Sequence, residues 1–226
     1  MIVAFSGRKF SGKDTCAEGL INRHGFIRIA LADRLKDIVS IVFNISRYRM
    51  DIPSEKESPF LEPLTLTATH ISSILNILRE DKFLIGSSST SFINSKFSGM
   101  KLESIRHILQ VVGTDICRLC ISDTIWLEYL NRRISGINEN FVVTDARFKN
   151  EREYLKKLGA ILILVKRNNK AIASRLYPTE IHISENDLGD DSEYDVIVNN
   201  NTTKTSIQSE ISMWYTVKYD GIKSNK

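Results

Sequence analysis

The sequence predicts an α/β fold in three layers, a parallel sheet covered by helices on both faces, and three observations predict it. Short apolar runs alternate with helical spacings along most of the chain. The runs are continuously apolar, Ala160 to Val165 being the longest, as in strands buried on both faces. The first run passes through a glycine-bearing loop straight into a helix. In such sheets ligands collect at the carboxyl ends of the strands.

The elements follow in order. Ile2 to Phe5 reads as a buried strand, and Lys13 to Arg23 as a helix with Cys16, Leu20 and Ile21 on its apolar side. Gly25 ends it, Phe26 to Ala30 forms a second strand, and Leu31 to about Asn44 has helical spacing through Leu35, Ile38, Val39 and Val42. Pro53, Pro59 and Pro63, then the run Ser87 to Ser91, break the pattern, leaving only a short helix around Ile71 to Leu78. Residues 50–100 therefore read as an irregular insertion. From Lys101 onward, Ile105, Ile108, Leu109, Val112, Ile116 and Leu119 predict one long amphipathic helix, followed by another at Ile125 to Ile134. Phe141 to Thr144, ending in Asp145, is a strand. Asn150 to Leu158 is a helix stopped by Gly159, and Ala160 to Val165 a strand. A strand at Asp195 to Val198 and a helix from about Thr205 to Val217 close the chain.

With 226 residues, 42% hydrophobic and 26% charged, 11 Gly and 4 Pro, the chain is neither disordered, collagen-like nor disulfide-stapled. A chain of this length hides roughly 70% of its unfolded surface, enough for an ordinary core. Its apolar runs fall far short of the roughly 18 residues that span a bilayer. Met1 leads directly into a strand without a basic region, which predicts an intracellular protein. The formal charge of +4 is spread along the chain, suiting a small anionic ligand better than a long nucleic-acid track. Cys117-Arg118-Leu119-Cys120 has no second pair to complete a zinc site and reads as two small buried residues on a helix.

Gly7-Arg8-Lys9-Phe10-Ser11-Gly12-Lys13 fits G-x-x-x-x-G-K in the context that gives the motif meaning, after a strand and before a helix. Gly7 and Gly12 let the backbone curl, so that N–H groups from about Phe10 to Thr15 face one concavity beside the positive end of a helix. Lys13 then bridges the β- and γ-phosphates of a nucleotide. Asp14 stands where a Ser or Thr normally holds Mg²⁺, and Thr15 follows. Either Asp14 approaches Mg²⁺, with Thr15 on the α-phosphate, or Asp14 is an acidic residue favoured at a helix start. Asp145 either holds Mg²⁺ or the acceptor at a strand end, or caps the next helix. Arg147 either clamps phosphate or pairs with Glu151 one turn on. Lys36 and Arg106 ride amphipathic helices whose exposed faces carry charge in any case.

Four stretches together carry a resemblance: Ser11-Gly12-Lys13-Asp14-Thr15; Leu31-Ala32 with Lys36-Asp37; Arg106 with Gln110 and Gly113-Thr114-Asp115; and Asp145-x-Arg147 ahead of Gly159-Ala160. His182-Ile183-Ser184-Glu185 and Val196 to Asn200 form a weaker tail. In these the chain resembles the deoxynucleoside monophosphate kinases of large DNA phages and viruses. The Gly-Lys-Asp loop, Asp-x-Arg and the Asn-rich end are also similar to animal-type phosphomevalonate kinase. The resemblance implies a P-loop kinase fold of the nucleoside-monophosphate-kinase type. Its core would comprise residues 1–49 and 101–226, with an acceptor-binding insertion over 50–100 and a lid over about 167–193. It implies ATP as donor, Mg²⁺, and a deoxynucleoside monophosphate as acceptor. Catalytic roles would fall to Lys13, Arg106, Asp145 and Arg147, and metal contacts to Asp14 and Asp145. ATP would be held by Gly7, Phe10, Ser11, Gly12, Lys13, Asp14 and Thr15, with Asn199 and Asn200 near the adenine. Acceptor binding would fall to Lys36, Asp37, Arg106, Asp115 and Arg147, and lid charge to Arg167 and Arg175.

Phosphoryl transfer between anions needs several cations around the reacting centre, which accounts for these residue types. A phosphomevalonate or other small phospho-acceptor kinase is the rival enzyme. A nucleotide switch or DNA-stimulated ATPase is the rival of another class, but the chain has no guanine-reading Asn-Lys-x-Asp and no basic track. The bases accepted are not legible, and oligomeric state is left open, a homodimer included.

Overall fold

β1 (Ile2–Ser6) is nearly all buried, and a computed structural model describing residues 1–8, 10–167 and 188–220 places it at the centre of a five-stranded sheet. With β2 (Ile27–Ile29), β5 (Phe141–Val143), β6 (Ile161–Lys166) and β7 (Val196–Asn199), the order is β2-β5-β1-β6-β7, every pair parallel. Val3 stands opposite Val142, and Phe5 opposite Ile163. Strand order reverses at β1, so its carboxyl end is the switch point at which open α/β sheets bind ligands.

The described residues form two compact units, Met1–Ala30 with Ile134–Lys226, and Leu31–Arg133. In the first, alternate residues of the strands face opposite sides. Val3, Phe5, Val142, Ile163, Val165 and Val198 join Cys16, Ala17 and Leu20 of α1 (Lys13–His24) in one core. Ile207, Ile211 and Tyr215 of α10 (Lys204–Tyr215) complete it. Gly19 brings α1 and α10 together, since a Cβ there would stand 2.5 Å from the carbonyl oxygen of Gln208. Ala4, Leu162 and Leu164 point the other way and are buried as well, and α9 (Lys149–Lys157) packs on β6. Gly159, at φ +76°, ends α9 as expected. Element limits otherwise move by a residue or two from those predicted.

The second unit overturns the reading of 50–100 as irregular. After α2 (Asp33–Phe43) come α3 (Arg47–Asp51), α4 (Pro53–Glu57), β3 (Pro59–Thr65), α5 (Ala68–Glu80) and α6 (Ser87–Phe97). The prolines start elements rather than interrupt them: Pro53 opens α4, where a missing N–H costs nothing. Pro59 opens β3, which pairs antiparallel with β4 (Lys101–Ser104). Thr67 caps α5 by accepting from the His70 N–H at 3.2 Å, and His70 Nδ1 accepts in return from the Thr67 N–H. Ile71, Ile74, Leu75 and Leu78 bury its inner stripe. The serine run begins α6 after Gly86, with Ile93 and Phe97 turned inward.

The single long helix from Lys101 is likewise corrected. Residues 101–104 are strand, α7 (Ile105–Gln110) is short, and Val111–Arg118 continues as π-helix. The Gly113 carbonyl accepts from Trp126 Nε1 at 3.2 Å, and a Cβ on Gly113 would overlap Leu35 of α2. The wider turns displace the face beyond them, so Leu119, expected in the apolar stripe, is exposed. α8 (Ile125–Ile134) ends at the boundary between the units. Cys117 is buried as predicted, its thiol pushed up by burial, whereas Cys120 is half-buried and donates to the Asp115 carbonyl.

Candidate active site

The loop after β1 is built around glycines that no other residue could replace. Gly7 has φ +151°, and a Cβ there would lie 2.5 Å from the Val165 carbonyl oxygen. Gly12, at φ +94°, caps α1 without a side-chain bond, and a Cβ there would overlap the Nδ2 of Asn200. Phe10 adopts φ +63° between them and is exposed. The Ser11 N–H is spent inside the loop on the Arg8 carbonyl at 3.1 Å, so the expected series of amides from Phe10 to Thr15 loses that member. The first turn of α1 supplies the remainder, since its leading N–H groups have no partner within the helix.

Lys13 is buried, and its Nζ donates to the carbonyls of Gly7 at 2.8 Å and Arg8 at 2.9 Å, holding the ammonium against the loop. The Ser11 hydroxyl is buried and has no hydrogen-bond partner among the described residues. A buried orphan hydroxyl inside a glycine cradle calls for an oxygen-rich partner, and the phosphate chain of a nucleotide fits it. Asp14 is exposed in the first turn of α1, and Thr15 is half-buried behind it. One residue further, burial and Glu210 push the Cys16 thiol up to about 12, so it stays protonated and inert.

The Asp145 to Arg147 stretch is tied to the end of β1. Ser6 Oγ donates to the Ala146 carbonyl at 2.6 Å, a buried bond. Asp145 and Arg147, both half-buried, thus flank the anchor that joins their segment to the residue before Gly7. Glu151 does engage Arg147, but through the backbone: its Oε2 accepts from the N–H groups of Arg147 at 2.7 Å and Phe148 at 3.0 Å, capping α9. The Arg147 guanidinium itself makes no ion pair among the described residues. Behind it, buried Arg152 donates to the Arg147 carbonyl at 2.8 Å and to Glu193 at 2.8 Å, and lies 5.7 Å from the Tyr194 ring centre.

Asn199, last in β7, is exposed, but Asn200 is buried and donates through Nδ2 to the Ser11 carbonyl at 2.8 Å. It therefore braces the phosphate loop. Of the expected lid, Arg167 is exposed, while Arg175, His182 and Glu185 lie outside the described residues. Residues 188–194, at its end, make several local contacts. Asp191–Glu193 form a 3₁₀ turn, Lys166 reaches Asp191 at 2.5 Å, and Tyr194 donates to the Leu188 carbonyl at 2.6 Å.

In the second unit every expected cation has a carboxylate partner. Arg106 on α7 is doubly bonded to Glu57 of α4, and Lys36 on α2 to Asp51 of α3. Asp37 pairs with Arg47 at 3.2 Å rather than with Lys36. Asp115, half-buried on the π-helix, accepts from Cys120 Sγ at its backbone oxygen. Sequence reasoning missed Glu57, Asp51 and Arg152. Each acts across a sequence separation at which no spacing pattern operates.

A family model for deoxynucleotide monophosphate kinases matches residues 63–211. A protein of Acanthamoeba polyphaga mimivirus assigned to these kinases is 27% identical over 93% of this chain and 94% of its own. The deoxynucleotide monophosphate kinase of Escherichia phage RB69 is 24% identical over 93% of this chain and 97% of its own, and that of Enterobacteria phage T4 is 23% identical over 83% and 90%. With a glycine cradle at the switch point of a parallel sheet and a family match across most of its length, this chain belongs to the deoxynucleotide monophosphate kinase family.

Proposed function

We propose that the protein transfers the γ-phosphoryl group of ATP to a deoxynucleoside monophosphate, giving ADP and the diphosphate. The observation that carries this reading is the loop Gly7 to Lys13, whose glycines, orphaned Ser11 hydroxyl and buried Lys13 ammonium suit a phosphate chain. Family membership supports the acceptor. The loop amides and Lys13 bind the donor phosphates and stabilise the charge that spreads over the moving phosphoryl group. The Arg147 guanidinium, uncommitted to any carboxylate among the described residues, clamps phosphate oxygens beside them. Lys36 and Arg106 bind the acceptor phosphate after giving up their carboxylates, and Asp37 and Asp115 orient the acceptor side.

Magnesium suits the carboxylates at hand, because it binds through one or two of them plus substrate phosphates. Asp14 and Asp145 would hold it, and when bound it neutralises phosphate charge. Asn199, Arg167 and Arg175 contribute to nucleotide enclosure in this reading, with residues of about 167–193 as the closing segment. Among the described residues no helix is long and apolar enough to cross a membrane, and the substrates place the reaction inside a cell. The reading is tested by a coupled ADP-release assay across the common deoxynucleoside and ribonucleoside monophosphates, with phosphomevalonate alongside. Turnover with one or more deoxynucleoside monophosphates is expected. ADP release only with phosphomevalonate, or only on adding single-stranded DNA, would falsify it.

A further inference from the structure

Asn200 is buried at the end of β7, a polar side chain in the position where the sheet meets the phosphate loop. Its backbone N–H donates to the Lys166 carbonyl at 2.8 Å, continuing the β6–β7 ladder one step past the strand. Its side chain then turns to the loop, and Nδ2 donates to the Ser11 carbonyl at 2.8 Å in a buried bond. The amide fills the volume left by the missing Cβ of Gly12. Gly12 is thus a glycine on two counts, its φ of +94° and this occupant. Ser11 is the residue whose N–H is consumed by the Arg8 carbonyl and whose hydroxyl is the buried orphan. With its carbonyl held by Asn200, the peptide from Ser11 to Gly12 has a fixed plane, and the amide N–H of Gly12 a fixed direction.

We propose that Asn200 is a positioning residue for the donor nucleotide: it sets the curvature of the phosphate loop through Ser11, without itself touching adenine. The inference rests on the donor half of the kinase reading and is independent of which acceptor is used. The chemistry requires a donor at Nδ2. An aspartate of the same size would set a negative oxygen against the Ser11 carbonyl and close to the phosphates, and an alanine would leave a void beside Gly12 with an unpaired buried carbonyl.

The test is calorimetric titration of MgADP into wild type, Asn200→Ala and Asn200→Asp, together with KM values for ATP and for the deoxynucleoside monophosphate. The dissociation constant for MgADP and the KM for ATP should rise about fivefold or more in both variants, with the acceptor KM within about twofold of wild type. A bond that served folding alone would lower the unfolding temperature and leave MgADP affinity unchanged, and that result would overturn the proposal. Equal rises in both KM values would overturn it too. Asn200→Asp preserves side-chain volume and remains readable where the alanine variant does not fold. A wild type that binds MgADP but phosphorylates no deoxynucleoside monophosphate refutes the acceptor assignment, and the calorimetric comparison still decides the role of Asn200.

Discussion

Arg106 and Glu57 close a bidentate ion pair, with Nε 2.7 and 2.6 Å from the two carboxylate oxygens and Nη2 2.5 Å from Oε1. A carboxylate in that fork occupies the positions that two phosphate oxygens would take. Acceptor binding through Arg106 must then displace Glu57. Glu57→Gln removes the competing charge and should lower the KM for the acceptor by about threefold or more, whereas Arg106→Ala should raise it about tenfold, both with ATP KM unchanged. Steady-state kinetics with each substrate varied in turn checks this. An acceptor KM insensitive to both changes removes Arg106 from the acceptor site.

Lys13→Ala should reduce kcat at least about tenfold, the loss of about 1.4 kcal/mol of transition-state stabilisation. Because the ammonium also serves two loop carbonyls, one of them in a buried bond, folding is measured alongside the rate. Circular dichroism beside the rate assay separates the two effects, and a fully active variant would contradict the assignment.

Gly12→Ala places a methyl group on the Asn200 amide at a backbone angle that L-residues avoid. The cost should be about 1–3 kcal/mol of stability, with MgADP binding lost outright. Denaturant unfolding and calorimetry measure the two parts. Wild-type nucleotide affinity in this variant would mean that the loop tolerates a different curvature.

Asp14→Ala separates the two roles left open for that exposed carboxylate. If Asp14 helps to hold magnesium, the metal concentration giving half-maximal turnover should rise about fivefold or more in the variant. An unchanged magnesium profile would leave Asp14 as an acidic residue suited to a helix start.

The Glu193 carboxyl is held below its ordinary value, first by its hydrogen bond to Arg152. A lowered folded-state pKa means that the stabilisation is complete above the unfolded value and disappears as pH falls through the folded one. The stability difference between wild type and Glu193→Gln should therefore be constant near neutrality and shrink from about pH 5 downward. Urea unfolding at several pH values reads this directly. A difference that grew on acidification would have the wrong sign for this pair.

The phosphate loop was legible because its chemistry is contiguous: Gly7, Gly12 and Lys13 lie between one strand and one helix, and both neighbours have local patterns. The parallel sheet was legible for the same reason. The second unit was not, because prolines at 53 and 59 and the serine run at 87 carry the same letters whether they break an element or begin one. The stripe of Ile71, Ile74, Leu75 and Leu78 was visible in the sequence, yet its length was underestimated at both ends. The π-helix escaped because Ile105, Ile108, Val112 and Ile116 fit an α-helical stripe equally well. Only Leu119, turned to solvent, reveals the change of pitch. Glu57 opposite Arg106 and Asn200 opposite Ser11 are products of tertiary folding and leave no trace in spacing.

The chain departs from the sheet after β2 and returns at β5, and those two strands are neighbours in it. No ladder of the five-stranded sheet therefore borrows a residue from 31–133. A lineage can remodel that whole excursion, lengthening helices or trading side chains, while the five strands keep their hydrogen-bonded frame. On the acceptor role proposed for Lys36 and Arg106, acceptor preference would then be heritable separately from the sheet within one polypeptide.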